Sequence, residues 1–282
     1  MSRRLIWYNG VMQIIDSFTA GQSIVSAASQ IVMGDGSAPK DGCAQIQMEH
    51  QLDVRVNDVL TMALTCSPDH LPELVLGRLY SEGLIRGVDD VERISVDESG
   101  LSAEVQLRNR EADFSKRHVD KIPTCSSDAQ TLNLYFAVAE KLTPVKPIAW
   151  DARWIFDLAT LLVTDTPMHK VTFGVHSCFL SQAGKVLFCC EDLGRHNAFD
   201  KIIGCALRHG IDLTQCVVFS SGRLPVDMVS KAIRAGIPIV ASKAVPTDAG
   251  VKLAREYDLT LICSAYPDKM VILNDPNSTV SG

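Results

Sequence analysis

The chain contains no Cys-x-x-Cys pair, although it carries nine cysteines: Cys43, Cys66, Cys125, Cys178, Cys189, Cys190, Cys205, Cys216 and Cys263. Nine is odd, so they cannot all pair internally. The spacing argues against both a disulfide framework and a structural zinc knuckle. Free thiols in this number point to a reducing compartment. An excess of positive charge is also missing: 27 Lys and Arg against 33 Asp and Glu give a net charge of −6. This excludes a uniformly basic nucleic-acid binder and leaves room for a local basic patch only. No apolar run reaches the ~18 residues of a membrane-spanning helix. Arg3-Arg4 and the later Ser26-Ala27-Ala28 hint at a secretory signal, but Asp16 and polar breaks interrupt its apolar centre. The expected setting is the cytoplasm, with neither membrane nor nucleic acid as partner.

What is present is ordinary globular material: 282 residues, 46% hydrophobic and 21% charged. That is enough for one large domain or two smaller ones with a full core. Residues 1–42 read as a variable arm ending in Gly34-Asp35-Gly36-Ser37-Ala38-Pro39. A smaller, hairpin-rich antiparallel subdomain is expected over 43–115. Its first hairpin runs from Ala44–Val54 through a turn near Val56-Asn57-Asp58 to Val59–Leu64, and its second turns at Glu98-Ser99-Gly100. Between them a helix is expected, with Ser67 as N-cap, Pro68 at its first position and Gly83 at its end. Residues 116–130 form a polar loop carrying Cys125, followed by helices over 128–142 and 152–163. In the 131–282 core, strands are expected at Val171–Leu180, Lys185–Cys190, Cys216–Phe219, Ile237–Ala241, Leu259–Cys263 and Met270–Leu273. Helices near 195–208, 225–235 and 247–256 alternate with them, the grammar of an α/β fold with a mainly parallel sheet.

Three polar clusters follow strands in this second half: Glu191-Asp192-Leu193-Gly194-Arg195-His196, Ser220-Ser221-Gly222-Arg223 and Ser242-Lys243. Ligands of open α/β sheets bind outside the carboxyl ends of the strands, and helix N-termini there offer free N–H groups to anions. Gly194 and Gly222 permit close approach, while Arg195, Arg223 and Lys243 add cationic donors. The inferred ligand carries phosphate or carboxylate. The competing reading is structural: Asp192 pairs with Arg195, and Ser221 caps a helix. Cys125 is the nucleophile candidate. Lys121, His118 and a following helix N-terminus would lower its pKa, whereas Asp128 would oppose that. Cys189, Cys190, Cys205, Cys216 and Cys263 read as small core residues. His176 and His196 are candidate bases or orienting groups.

The runs Leu74–Ile85 (LVLGRLYSEGLI), Glu191–Gly204 (EDLGRHNAFDKIIG), Ser220–Lys231 (SSGRLPVDMVSK), Ala235–Ser242 (AGIPIVAS) and Leu259–Cys263 resemble the FdhD family, the formate dehydrogenase accessory sulfurtransferases. The resemblance implies a cytidine-deaminase-like three-layer α/β sandwich and a homodimer. It also implies a sulfur carrier. A cysteine desulfurase loads a persulfide onto Cys125, and the sulfur passes to the molybdenum (or tungsten) bis-guanine-dinucleotide cofactor destined for formate dehydrogenase. GDP is then a natural ligand mimic. Asp192, Arg195, Ser221, Gly222, Arg223 and Lys243 become cofactor-binding candidates, with Asp192 reading the guanine N–H edge. By position the family's cofactor stretch falls on Ser264-Ala265-Tyr266-Pro267-Asp268-Lys269, where Asp268 replaces a glycine. The family's loop commonly reads Cys-x-x-Cys, but this chain reads Cys125-Ser126-Ser127-Asp128. That departure keeps a second reading open, a cofactor-binding chaperone that moves no sulfur. The His-x-Glu and Pro-Cys-x-x-Cys ligands of zinc deaminases are absent, so no zinc is expected and a nucleotide-processing enzyme is the weakest alternative.

Overall fold

The computed structural model describes residues 4–8, 12–19, 23–111 and 142–277. Cys125, its polar loop and the helix expected over 128–142 lie outside the described residues. The first half builds a six-stranded sheet in the order β1-β2-β7-β8-β5-β6. Its strands are β1 (Arg4–Tyr8), β2 (Met12–Asp16), β5 (His50–Val56), β6 (Val59–Cys66), β7 (Val91–Val96) and β8 (Ser102–Leu107). Strands β3 (Ile24–Ile31) and β4 (Lys40–Gln47) pair separately as a two-stranded ribbon. The second expected hairpin forms, and the first forms over β5 and β6 only, because residues 44–47 of its expected first strand belong to β4 and pair with β3. The first turns at Asn57 and Asp58, whose φ values of 48° and 67° suit the mirror-image turn that matches strand twist.

Three expectations need correcting. Part of the supposed N-terminal arm is structural, because β1 and β2 continue the sheet. The subdomain is not purely antiparallel, since β2 runs parallel to β7 and β5 parallel to β8. Helix α1 (Leu71–Ser81) is not capped by Ser67: its N-cap is His70, held at φ 49°, and Pro72 takes the second helical position. Gly83, at φ 72°, ends this helix as expected.

The second half forms another six-stranded sheet, in the order β10-β9-β11-β12-β13-β14. Its strands are β9 (His176–Gln182), β10 (Lys185–Asp192), β11 (Cys216–Ser220), β12 (Ile239–Ser242), β13 (Thr260–Tyr266) and β14 (Lys269–Asn274). The sheet is mixed, but less parallel than expected. Only β11–β12 and β12–β13 run parallel, while β9–β10, β9–β11 and β13–β14 are antiparallel. The reason is local: Ala183-Gly184 and Pro267-Asp268 close tight hairpins, which force their strands to reverse. Residues 167–172, read partly as strand, instead form the short helix α3 (Pro167–Thr172), which follows α2 (Ala152–Thr164).

Alternation along the central strands creates three layers. Cys178, Leu180, Val218, Val240 and Leu261 face one side, where they meet Phe199 and Ile202 of α4 (Arg195–Arg208), Met228 and Val229 of α5 (Val226–Arg234), and Ala254 of α6 (Asp248–Glu256). Phe179, Val217, Phe219, Ile239 and Ile262 face the other side, against Ile155, Leu158 and Leu162 of α2. Strand β11 is buried on both faces, which explains its unbroken run Cys216-Val217-Val218-Phe219. Each large apolar side chain so buried contributes about 1.5–3 kcal/mol. The first sheet packs its own core under α1. Helix α1 then meets α4 at reciprocal glycines: a Cβ on Gly77 would lie 1.8 Å from the Asp200 carbonyl oxygen, and one on Gly204 would lie 1.9 Å from that of Glu73. No helix among the described residues is long and apolar enough to cross a membrane.

Candidate functional site

The second sheet brings the three polar clusters to one edge. Antiparallel pairing sets the C-terminal end of β10 beside the N-terminal end of β9, with Asp192 opposite His176. Ser220 at the end of β11 lies opposite Cys178 of β9 and Ser242 of β12. The β13–β14 turn falls on the same edge, with Tyr266 opposite Lys269. A cleft of about 440 Å³ opens there, lined by His169, Phe173, Gly174, Val175, His176, Ser221, Lys243, Ala244 and Tyr266.

Hydrogen bonds fix its floor. The Ser177 N–H donates to Ser221 Oγ at 3.0 Å, and the Ser221 N–H donates to the Ser177 carbonyl at 2.9 Å. His176 Nδ1 lies 3.3 Å from the same Oγ. Burial, reinforced by the Arg195 charge, holds the His176 imidazole below its ordinary pKa. It therefore faces the cleft as a neutral ring that can accept or pass a proton. Gly222 donates its N–H to Ser220 Oγ at 3.1 Å, and its carbonyl accepts from Ser242 Oγ at 2.7 Å. A Cβ there would come within 2.8 Å of Arg195 Cβ and 3.3 Å of His176 Nδ1, so only glycine lets these two side chains close over the loop. Ser221 is thus a floor residue rather than a helix cap, because α5 starts only at Val226 with Pro225 as N-cap.

The wall toward α3 is held by Glu191. Its buried carboxylate accepts from the N–H groups of Met168 (2.8 Å) and His169 (2.9 Å) and from Ser177 Oγ (3.0 Å). His169 Nδ1 lies 2.8 Å from the Val175 carbonyl oxygen, which orients the ring. Phe173 stacks edge-on to His169 and is 78% exposed. Sequence reasoning missed both residues, because Val171–Leu180 reads as one strand. The available signal was Thr166-Pro167, a helix-opening pair, ahead of Gly174.

Of the predicted site residues, His176, Ser221, Lys243 and Tyr266 line the cleft, while Asp192 and His196 are enclosed by protein. Asp192 has no exposed surface, and its oxygens accept from the N–H groups of Ser67 (3.0 Å) and Gly194 (2.9 Å), from Asn197 Nδ2 (2.9 Å), and from Lys201 Nζ (2.8 Å). It has no acceptor left to read a guanine edge and pairs with Lys201 rather than Arg195. His196 is also buried and forms a 2.6 Å bond with Asp227 of α5. Burial lowers its pKa, although Asp227 pulls the other way. Both act on the site through the helix they position. Arg195 is half-buried against Gly222; Arg223 and Lys243 are exposed at the same edge. On the opposite rim Ser264 sits at φ 47°, Ala265 is buried, and Pro267 and Asp268 are exposed in the turn. There Lys269 Nζ lies 5.5 Å from the Tyr266 ring centroid. The neutral imidazole, Lys243 and the Tyr266 ring in the cleft, with Arg195 and Arg223 on loops at the same sheet edge, suit a phosphorylated ligand with a planar base.

Of the cysteines expected in the core, Cys190, Cys205, Cys216 and Cys263 are buried but Cys189 is exposed; Cys178 is buried too. Burial pushes Cys178 up to about 12 and Cys216 up to about 11.

The comparisons agree with this architecture. Residues 47–280 match the FdhD/NarQ family. The sulfur carrier protein FdhD of Bacillus pumilus (strain SAFR-032) is 34% identical over 222 residues, 77% of this chain and 84% of the relative. Its namesake from Bacillus subtilis (strain 168) is 32% identical over 218 residues, 76% of this chain and 82% of the relative. Among solved structures, a protein from Desulfotalea psychrophila described as a formate dehydrogenase accessory protein superposes with a TM-score of 0.74. At 24% identity, covering 90% of this chain and 98% of the other, it attests the fold.

Proposed function

Because the chain belongs to the FdhD/NarQ family, we propose that it is a sulfur carrier that serves the maturation of formate dehydrogenase in the cytoplasm, working as a homodimer. In this reading the Cys125 thiolate attacks the terminal sulfur of a cysteine desulfurase persulfide. A new S–S bond forms on Cys125, and the desulfurase thiolate leaves. The loaded loop then presents its sulfur at the sheet edge to the molybdenum or tungsten bis-guanine-dinucleotide cofactor, which is the cargo.

The observation that supports this most is the convergence of all three polar clusters on one sheet edge, where the cleft opens. Arg195, Arg223 and Lys243 would hold the cofactor's phosphates, and Tyr266 would stack on a guanine. His176 would orient or protonate at the reacting end. Asp192 and His196 position helix α4 rather than touch the cargo. The chemistry of the thiols agrees: burial holds Cys178 and Cys216 protonated, and so makes them poor carriers.

The test is to incubate the protein with a cysteine desulfurase and cysteine and to map sulfane sulfur by mass spectrometry. The expected product is one added sulfur atom on the Cys125 peptide, absent from Cys125→Ala. That variant should still bind GDP but fail to mature formate dehydrogenase. An unmodified Cys125 in a protein that still binds GDP would favour the chaperone that delivers cofactor without sulfur.

A further inference from the structure

We infer that His70, Cys190 and Cys205 form a zinc(II) site at the seam between the two sheets, apart from the cleft. The three residues come from three elements: the residue capping α1, the last part of strand β10, and the last turn of helix α4. Their ligand atoms lie within 4.8 Å of one another. Cys190 Sγ and Cys205 Sγ are 3.9 Å apart.

That separation is the telling quantity. Two thiolates at about 2.3 Å from a tetrahedral zinc stand about 3.8 Å apart. A disulfide would need the sulfurs to close to about 2.05 Å. The buried sulfurs thus already stand at the spacing of a Cys–Zn–Cys edge. The imidazole is prepared in the same way. His70 Nδ1 lies 3.3 Å from the Asp69 carboxylate, so Nε2 is the ring nitrogen that remains, and the carboxylate fixes its direction. The two sulfurs are buried, whereas the His70 side chain is 48% exposed, which provides an entry path. Two thiolates and an imidazole form a soft donor set suited to zinc, with the fourth position open to water. The ligands are 15 or more residues apart in the chain, so no zinc spacing shows in the sequence. The ion would tie the start of α1 to β10 and α4, and so brace the strand end that carries Glu191 and Asp192.

The full-length protein, reduced and freed of metal by chelation, is titrated with zinc against a chromophoric competitor. Cobalt(II) is substituted in parallel to report thiolate-to-metal charge transfer. One equivalent should bind, raise the melting temperature and give the charge-transfer band. Cys190→Ser with Cys205→Ser should abolish all three. His70→Ala, a change at an exposed residue, should weaken zinc at least about tenfold. Cys43→Ser and Cys125→Ser should bind as the parent does. The site is refuted if the parent binds no zinc, if binding survives the double serine variant, if it vanishes in Cys125→Ser, or if the Cys190–Cys205 pair oxidises to a disulfide and takes up no metal.

Discussion

Asp192 and Lys201 form an ion pair of 2.8 Å in which neither residue has any exposed surface. Lys201 also donates to Asp69 Oδ1 (2.6 Å) and to the carbonyls of Ser67 (3.2 Å) and Glu191 (3.3 Å). Burial opposes its charge, but the two carboxylates outweigh that and raise its pKa. The pair joins the loop before α1 to the start of α4, so it holds one wall of the cleft against the first sheet.

Removing one partner should therefore be costly. Lys201→Met leaves Asp192 charged and dry, and should lose about 3–5 kcal/mol in urea unfolding. The double variant Asp192→Asn with Lys201→Met should recover part of that loss, as coupled sites do. Additive losses in the double variant would show that the pair is not a unit.

The α1–α4 seam predicts a second effect. With carbonyl oxygens at 1.8 and 1.9 Å from the ideal Cβ positions, Gly77→Ala or Gly204→Ala must push the helices apart. Each should cost about 1–3 kcal/mol or more by overpacking. Gly34→Ala, with open space around it, is the control and should be nearly neutral in thermal melts. Equal melting temperatures for all three would overturn the close-approach reading.

Much of this was legible from local chemistry. Turn residues announced the hairpins at Asn57-Asp58 and Gly100, and the apolar runs announced β11 to β13, because short-range rules decide those features. The sheet edge was legible too, since Gly194, Gly222 and Lys243 follow strands. Asp192 was misread because Lys201, Ser67 and Asn197 converge on it only in three dimensions. The same physics hid the partner of His196, which lies on α5, and the cleft wall at His169, which depends on Glu191 capping a helix too short to show a period. Strands β1 and β2 escaped because each is only five residues long, too short to show a period, and β2 finds its partner β7 only in three dimensions.

Stability should fall as the solution is acidified. Burial depresses the folded pKa of His196 and of His176. Such groups favour the native state above the unfolded value of about 6.5 and lose that contribution as pH falls through the folded value, because the unfolded chain takes the proton first. His70, raised by its bond to Asp69, acts oppositely: its contribution is present below about 6.5 and fades as pH rises through the folded value. Urea melts between about pH 7 and 5 should thus show a positive slope of stability with pH, shallower in His196→Gln and steeper in His70→Gln. A steeper slope in His196→Gln would mean instead that its imidazole is charged against Asp227 in the folded protein.

The cleft makes a prediction that separates its two rims. If Lys243 and Arg223 hold phosphate, replacing either with alanine removes a charge-assisted hydrogen bond and should weaken GDP by about tenfold to a hundredfold. The loss should shrink as salt is raised, because both side chains are exposed and screened. Tyr266→Ala on the opposite rim removes a stacking surface instead. Its loss, also about tenfold or more, should persist at high salt. Asp192→Asn supplies the contrast: its side chain is enclosed by protein donors, so it should destabilise the fold while leaving the affinity of the folded fraction near that of the parent. Isothermal titration of the four variants at two salt concentrations reads all of this. GDP affinity that falls in Asp192→Asn but not in Lys243→Ala or Arg223→Ala would move the nucleotide away from this cleft.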